Sequence, residues 1–564
     1  MCPAFAFSWF FLRGGKKKPR NRSLQGRQID FSTDYFLTAC QEGSMAFAFS
    51  TFFLVLLLAP SLLLLHPSAG ESFDVRQHLS TVTRYDAVKD SNNANFVPSA
   101  IPDGCKAIHL NLVARHGTRS PTKKRIKELD QLAIRLDTIL NDARGSQKDS
   151  SLQKIPKWLS GWQSPWKGRQ KGGELTSKGE DELYHLGLRV RERFPELFEE
   201  EYHPDIYSVR ATQVPRASAS AVAFGMGLFS GKGSLGPGRH RAFSVLSESR
   251  ASDICLRFYD TCETYKEFRR SQEPAVEKLK EPILDEITSS LVTRYQLNFT
   301  RQDVASLWFL CKQEASLLEI TDQACGLFSA YEVSLLEWTD DLEVFLLKGY
   351  GKAINYRMGV PLLQDIVQSM EEAIMAKEEN RTPGIFEKAR LRFAHAETVV
   401  PLTCLLGLFL EESEFEQIQR EQPLCLPPKP PQKRNWRCSI VAPFSGNNVL
   451  ALYQCPGNNS SDIMLSGAHR SKYFVQVLHN EIPTPLPGCG DTDFCPFDVF
   501  KERVVNPHLK HDFHSVCNVK LELPEAKIEQ IESCSLICKL SNLFRRLFVL
   551  KRSNTYTKNQ KTEL

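Results

Sequence analysis

"LNLVARHGTRSPTKKR", residues 110–125, passes from an apolar run to a cluster of cations within a few positions. Extended back to Lys106 as "KAIHLNLVA" (106–114), the first part reads as a buried strand of a parallel sheet, since such strands are short apolar runs that need no alternation. The second part reads as the loop leaving the strand's C-terminal end, where α/β sheets place their ligands. Arg115 and Arg119 flank His116 there, and Gly117 allows close approach of the backbone to a bound group. A phosphomonoester dianion needs its oxygens held by planar, permanently charged forks, which arginine supplies in bidentate fashion. Between two guanidiniums an imidazole stays neutral, and a neutral imidazole can attack phosphorus to form a phosphohistidine.

Moving outward, "ELTSKGEDELYHLGLRVRERFP" (174–195) predicts a helix capped by Thr176 or Ser177, and "DIYSVRATQ" (205–213) a second strand. "VPRASASAVAFGMGLF" (214–229) follows as a helix of small residues. From about 240 to 385 strand signals fade. "EFRRSQEPAVEKLKEPILDEITSSLVTRY", "RQDVASLWFLCKQEASLL" and "GVPLLQDIVQSMEEAIMA" are helical, which predicts an all-helical domain inserted into the sheet domain. Then "ARLRFAHAETVVPLTCLLGL" (389–408) reads as strand, turn and helix, while "SIVAPFSGNNVLALYQC" (439–455) and "KYFVQVLHNE" (472–481) read as strands. The fold class expected is α/β, with a mixed, mostly parallel sheet flanked by helices. The divisions are an upstream extension (1–44), a signal segment (45–70), two parts of the sheet domain (71–239 and 386–525) around the helical insert (240–385), and a basic tail (526–564).

The 564 residues carry a net charge of +5, too little to argue for a nucleic-acid partner, so any anion-binding role needs cations gathered locally. "MAFAFSTFFLVLLLAPSLLLLHPSAG" (45–70) has the apolar run and small-residue exit of a secretory signal peptide. Left uncleaved, it is long enough to anchor the chain. Of sixteen cysteines, fourteen follow Gly70, an even count that suits disulfides in an oxidising compartment. Cys255 and Cys262, and Cys489 and Cys495, stand close enough to close small loops. Zinc is the rival use, but the isolated Cys534/Cys538 pair is no paired ligand ladder. Sequons at Asn298, Asn380 and the overlapping Asn458 and Asn459 predict glycosylation. The closing Lys561-Thr562-Glu563-Leu564 resembles an endoplasmic-reticulum retrieval signal, with Thr in place of Asp. The basic helical "FRRLFVLKR" before it could instead touch a membrane surface. Endoplasmic-reticulum lumen with leakage outside is the expectation; plain export or a vacuole is the alternative.

RHGTRSP resembles the signature of the histidine acid phosphatases, the branch of the histidine phosphatase superfamily that includes phytases. The resemblance implies His116 as nucleophile and Arg115 and Arg119 as phosphate ligands. It expects a third arginine after the second strand, which "RATQVPRASASAVAFGMGL" (210–228) supplies as Arg216, with Arg210 the weaker stand-in. In place of the usual late His-Asp pair this chain has His395-Ala396-Glu397. That variant is similar to the multiple inositol polyphosphate phosphatases, and it implies His395 as a phosphate ligand and Glu397 as proton donor. "GELTSKGEDELYHLG", "LRFYDTCE" and "YFVQVLHNE" also resemble this subfamily, and the likeness spans about residues 75–525.

An inositol polyphosphate carries several dianions, so cations beyond the catalytic loop have a role. Lys123, Lys124 and Arg125 follow the loop directly, and Lys124 is the foremost candidate for holding a second phosphate. The expected activity is hydrolysis of inositol polyphosphates, phytate included, with no metal and no cofactor. A broad phosphatase of small monoesters and a catalytically silent polyphosphate binder are the rivals; retention of His116, both motif arginines and a proton donor speaks against silence.

Overall fold

The computed structural model describes residues 73–89, 101–146, 153–381, 386–432, 434–456, 471–490 and 492–518. The signal segment, the basic tail with its terminal tetrapeptide, Asn458, Asn459 and the Cys534/Cys538 pair lie outside the described residues.

The opening stretch is β1 (Lys106–Arg115), buried at every position after Lys106. It leads through the RHG loop into α1 (Lys123–Ser146). Next come α2 (Ser177–Arg193), whose first turn is capped by the Thr176 side chain, β2 (Tyr207–Ala211) and α3 (Pro215–Leu228). Between β2 and β3 (Ala389–Ala394) the described residues hold helices and no named strand. The principal helices here are α4 (Phe258–Thr261), α5 (Glu263–Tyr295), α6 (Arg301–Gln313), α7 (Ala330–Lys348) and α8 (Val360–Glu378). After β3 the chain turns into α9 (Ala396–Leu405) and later forms β4 (Asn447–Gln454), β5 (Tyr473–His479), β6 (Ile482–Pro483) and β7 (Phe494–Pro496).

The sheet runs β2-β3-β1-β4-β5-β6, with β7 also paired to β5. It is mixed and flanked by helices, as expected. Parallel pairing is confined to β2-β3-β1, and the β4, β5, β6 and β7 pairings are antiparallel. The parallel share is therefore smaller than the sequence suggested, because a buried apolar run looks the same in either direction. "SIVAP" is a short helix, Cys438–Val441, and only the residues after Gly446 form the strand.

β1 serves two cores. Leu110, Leu112 and Ala114 pack with α2 and α3, whereas Val113 belongs to a second cluster with α8 and α9. A third core joins α1 to α5, α6 and α7. Apolar packing thus divides the helices differently from the expected 240–385 boundary: α1 joins the helical core from before it, and α8 leaves that core to cover the sheet.

Disulfides link Cys105–Cys455, Cys262–Cys517, Cys311–Cys325 and Cys489–Cys495. The last is one of the two loops expected. The Cys255/Cys262 loop does not form: Cys262, at the N-cap of α5, meets Cys517 with a Cα–Cα distance of 4.6 Å, and Cys255 is a free thiol. Such bridges fit a chain that matures in an oxidising compartment. Among the described residues no helix is long and apolar enough to cross a membrane. Asn298 and Asn380 are both exposed.

Candidate active site

The parallel trio brings three strand ends together. In register, Arg115 at the end of β1 lies opposite Ala394 at the end of β3, and β2 ends beside β3 with Ala211 opposite Phe393. Each strand then turns into a loop and a helix, so residues from 115–119, 216 and 395–397 converge at one edge, the usual ligand position of such sheets.

The RHG loop is fixed from below. Buried Glu182 of α2 accepts from the Thr118 backbone N–H (2.9 Å), the Thr118 hydroxyl (2.7 Å) and the Ser445 hydroxyl (2.9 Å). Ser220 of α3 accepts from the Gly117 N–H at 3.1 Å. A Cβ on Gly117 would sit 2.3 Å from the Gly179 carbonyl oxygen, so this glycine is required by the loop's approach to α2 rather than to a ligand. His116 is 2% exposed, and its Nδ1 lies 2.9 Å from the Gly117 carbonyl. A carbonyl only accepts, so Nδ1 carries the proton and Nε2 keeps its lone pair. Burial first, then the Arg115, His395, Arg216 and Arg119 side chains, hold the His116 imidazole well below its usual range, so it is neutral even in acid.

Three guanidiniums, Arg115, Arg119 and Arg216, act on this ring, and a fourth, Arg257, reaches its neighbour His395. Arg115 is fixed by the Ala442 carbonyl (2.7 Å) and by stacking over Phe444 (4.5 Å). Arg119 donates to the Ser120 carbonyl at 2.9 Å. Arg216, in the first turn of α3, points one nitrogen at His395 Nδ1 (3.3 Å), and Arg257 approaches Nε2 of the same ring (3.4 Å). His395 Nε2 also lies 2.9 Å from the Thr212 hydroxyl, and the two imidazoles stand 5.3 Å apart. Burial, reinforced by Arg119, lowers Arg115 to about 9; burial with Arg216 lowers Arg119 to about 10. Burial and the Arg216 charge lower His395 to about 3. The Nε atoms of Arg115, Arg119, Arg216 and Arg257 are buried without a hydrogen-bond partner among the described residues. A tetrahedral oxyanion with several acceptor oxygens is the group that such donors lack.

Glu397 lies in the first turn of α9 and accepts from Lys348 Nζ, at the end of α7, at 2.9 Å. A cavity of about 230 Å³ adjoins, lined by Arg119, Arg125, Lys312 and Lys348 among others. All three cations are exposed, but Arg125 stacks over Phe309 at 4.6 Å and lines that cavity, whereas Lys123 and Lys124 do not. The three cations are the first turn of α1 rather than a loop, an end where the helix dipole disfavours positive charge. Arg210 stays within β2 opposite Arg392, and it is Arg216 that reaches His395. Sequence reading assigned no role to Arg257, Lys348, Thr212 or Glu182. Arg257 lies in "LRFYD", a stretch already similar to the subfamily, so only its role was missed. Among the described residues no group of three or more His, Cys, Asp or Glu is placed to hold a metal ion.

A family model described as histidine phosphatase superfamily (branch 2) matches residues 107–480. Multiple inositol polyphosphate phosphatase 1 of Homo sapiens is 27% identical over 454 residues, covering 76% of this chain and 86% of that protein. Among solved structures, the phytase from D. castellii superposes with a TM-score of 0.58 at 18% identity, covering 79% of this chain and 88% of its own. The multiple inositol polyphosphate phosphatase of Bifidobacterium longum, crystallised with inositol hexasulfate, gives 0.55 at 18% identity, over 77% of this chain and 98% of that one.

Proposed function

The chain belongs to branch 2 of the histidine phosphatase superfamily, and from that premise we propose that this phosphoric monoester hydrolase removes phosphate from inositol polyphosphates through a phosphohistidine. The observation that carries the reading is the buried, neutral His116 beside Arg115, Arg119, Arg216 and His395, with Arg257 on the far side of His395 and the carboxyl of Glu397 nearby as the anionic member of the group. In the first step His116 Nε2 attacks phosphorus, while Arg115, Arg119, Arg216, Arg257 and His395 hold the phosphoryl oxygens as charge shifts onto them. The P–O bond to the inositol carbon breaks, and protonated Glu397 gives its proton to the leaving oxygen. In the second step the Glu397 carboxylate takes a proton from water. That water attacks phosphorus, the P–N bond breaks, and inorganic phosphate departs.

The substrate class is supported by relatives named as multiple inositol polyphosphate phosphatases and by the cations beyond the catalytic ring. The helical core of α1, α5, α6 and α7 supplies the outer wall, since Arg125, Phe309 and Lys348 all come from it. Turnover of inositol hexakisphosphate against an aryl phosphate tests the reading. A kcat/KM at least comparable on the inositol is expected; hydrolysis of the aryl ester alone would leave a broad monoester phosphatase, and hydrolysis of neither a silent binder.

Two variants refine this. Arg125→Ala is expected to raise KM for inositol hexakisphosphate about tenfold and to leave a small monoester nearly unchanged, with the gap narrowing at high salt. Lys124→Ala, exposed and off the cavity, should change KM less than twofold to threefold. The reverse ranking would return the second phosphate to Lys124. For location, the retrieval-like terminus supports residence in the endoplasmic reticulum with partial secretion. Deleting residues 561–564 should then raise the secreted fraction, and an unchanged fraction would favour plain export or a vacuole.

A further inference from the structure

Lys348 occupies two sites at once. Its ammonium donates to Glu397 Oε1 at 2.9 Å and also lines the cavity that holds Arg119, Arg125 and Lys312. The cavity's acidic residues are already engaged. Asp340 accepts from Lys312 at 2.6 Å and from the Trp308 indole at 3.0 Å, and Glu343 is paired with Lys280. Arg125 is bonded to Glu128, while Arg119 keeps a buried, unpartnered Nε. The cavity therefore lies beside the catalytic ring and is biased toward an anion. Among the described residues, Lys348 is the cavity-lining cation that hydrogen-bonds to Glu397.

This arrangement poses a problem for catalysis. Burial pushes the Glu397 carboxyl up, but Lys348, aided by His395 and a local backbone N–H, wins and holds it below the usual carboxylate range. The charged and titratable groups facing Glu397 are Lys348 of α7, His395 on its own turn, Arg115 and Arg119 of the RHG loop, Arg216 of α3, Tyr259 of α4, and Tyr265 and Arg269 of α5. The two tyrosines are neutral and the remaining partners are cations or a neutral imidazole. An ionised carboxylate cannot give a proton to a leaving alkoxide. A group that offsets the Lys348 charge beyond what Glu343 already does enlarges the protonated fraction on which the acid step depends.

We propose that Lys348 is a positioning residue that makes proton delivery by Glu397 depend on a second anionic group of the substrate. Seated in the cavity beside Arg119 and Lys312, a neighbouring phosphate of the same molecule accepts from Lys348 and offsets its charge. Glu397 then takes up a proton from solvent and passes it to the leaving oxygen. A monoester with no second anion leaves Lys348 on Glu397, and its hydrolysis relies on the small protonated fraction. Discrimination between polyphosphates and simple monoesters would then reside partly in the acid step, not in binding alone. The inference rests on the proposed substrate class and on Glu397 as the acid.

The experiment compares the pH dependence of kcat for inositol hexakisphosphate, glycerol phosphate and an aryl phosphate, using the mature protein, Lys348→Met and Lys348→Arg. Activity that needs protonated Glu397 is lost as pH rises through the carboxyl's pKa, so the position of the alkaline limb reports the acid. In the unaltered protein the limb for inositol hexakisphosphate should lie about one pH unit above that for glycerol phosphate, about tenfold in rate on the alkaline side. In Lys348→Met the glycerol phosphate limb should rise to meet the other. Lys348→Arg should keep them apart, and the aryl ester should not move in any variant. Coincident limbs in the unaltered protein overturn the inference, and that comparison decides the matter even if Lys348→Met does not fold. A separation that persists in a folded Lys348→Met overturns it as well. Failure to turn over inositol hexakisphosphate, with both monoesters hydrolysed, overturns the substrate reading and removes the inference with it.

Discussion

His116→Ala is expected to lose about 10⁴-fold or more in kcat on every phosphomonoester, the scale seen when an activated nucleophile is removed from its unit. The loss should not depend on the leaving group, because the attack on phosphorus precedes or accompanies departure in each case. Expression and melting temperature should change little. The imidazole sits on a loop held by Glu182 and Ser220, and those bonds run to Thr118, Ser445 and the Gly117 backbone rather than to the ring. A rapid denaturing quench with labelled substrate should find phosphate on His116 in the unaltered protein and none in the variant. The pH dependence follows from the same geometry. The attacking form is the neutral ring, available above its pKa, and burial together with the surrounding arginines holds that pKa well below 6.5. With an aryl ester, which needs no proton donor, activity should therefore show no acid limb near pH 6.5. Such a limb, or more than about 1% residual activity in His116→Ala, contradicts nucleophilic attack by this ring.

How much of this was open to sequence reading depends on the reach of each interaction. β1, β2 and β3, with α3 and α9 after the second and third, were legible because each unit is local: a short apolar run, a turn and a small-residue or apolar helix; α1, which follows β1, was read as a loop. The RHG loop, Arg216 and the His395–Glu397 turn sit on those units, so recognising the units located the residues. Direction of pairing was not legible, since β4 and β5 are buried runs like β1 and differ only in their neighbours. α7 escaped notice for a related reason. Val333, Leu335, Leu336, Trp338, Leu342, Val344, Phe345 and Leu347 are all buried, so the helix is apolar on most sides and shows no clean stripe. Lys348 at its end was lost with it. Arg257 meets His395 across 138 residues of chain, a contact that no local pattern encodes. The lysines after the RHG loop were read by abundance of charge, and only packing of α1 against Phe309 of α6 selects Arg125 from among them.

Glu397→Gln should separate the two halves of the mechanism. The amide keeps the size of the carboxyl and its oxygen can still accept from Lys348, so the first turn of α9 and the end of α7 stay joined. It has no proton to release at any working pH. For inositol hexakisphosphate, whose leaving alkoxide is strongly basic, kcat is expected to fall about 10²- to 10³-fold, within the range for loss of a general acid. An aryl phosphate with an acidic leaving group should lose no more than about tenfold in its first step, because the departing oxygen needs little protonation. The second step still lacks its base in the variant, so a phosphoenzyme that accumulates from the aryl ester, seen as a burst of product at high enzyme concentration, is a further expectation. The pH profile adds an independent mark. Unaltered protein should lose activity on the inositol as pH rises through the Glu397 pKa of the complex, whereas Glu397→Gln has no such group and should be flat across that limb. Equal losses on both substrates, with no burst and an unchanged limb, would make Glu397 only a counter-ion for Lys348 and would move the acid to another carboxyl.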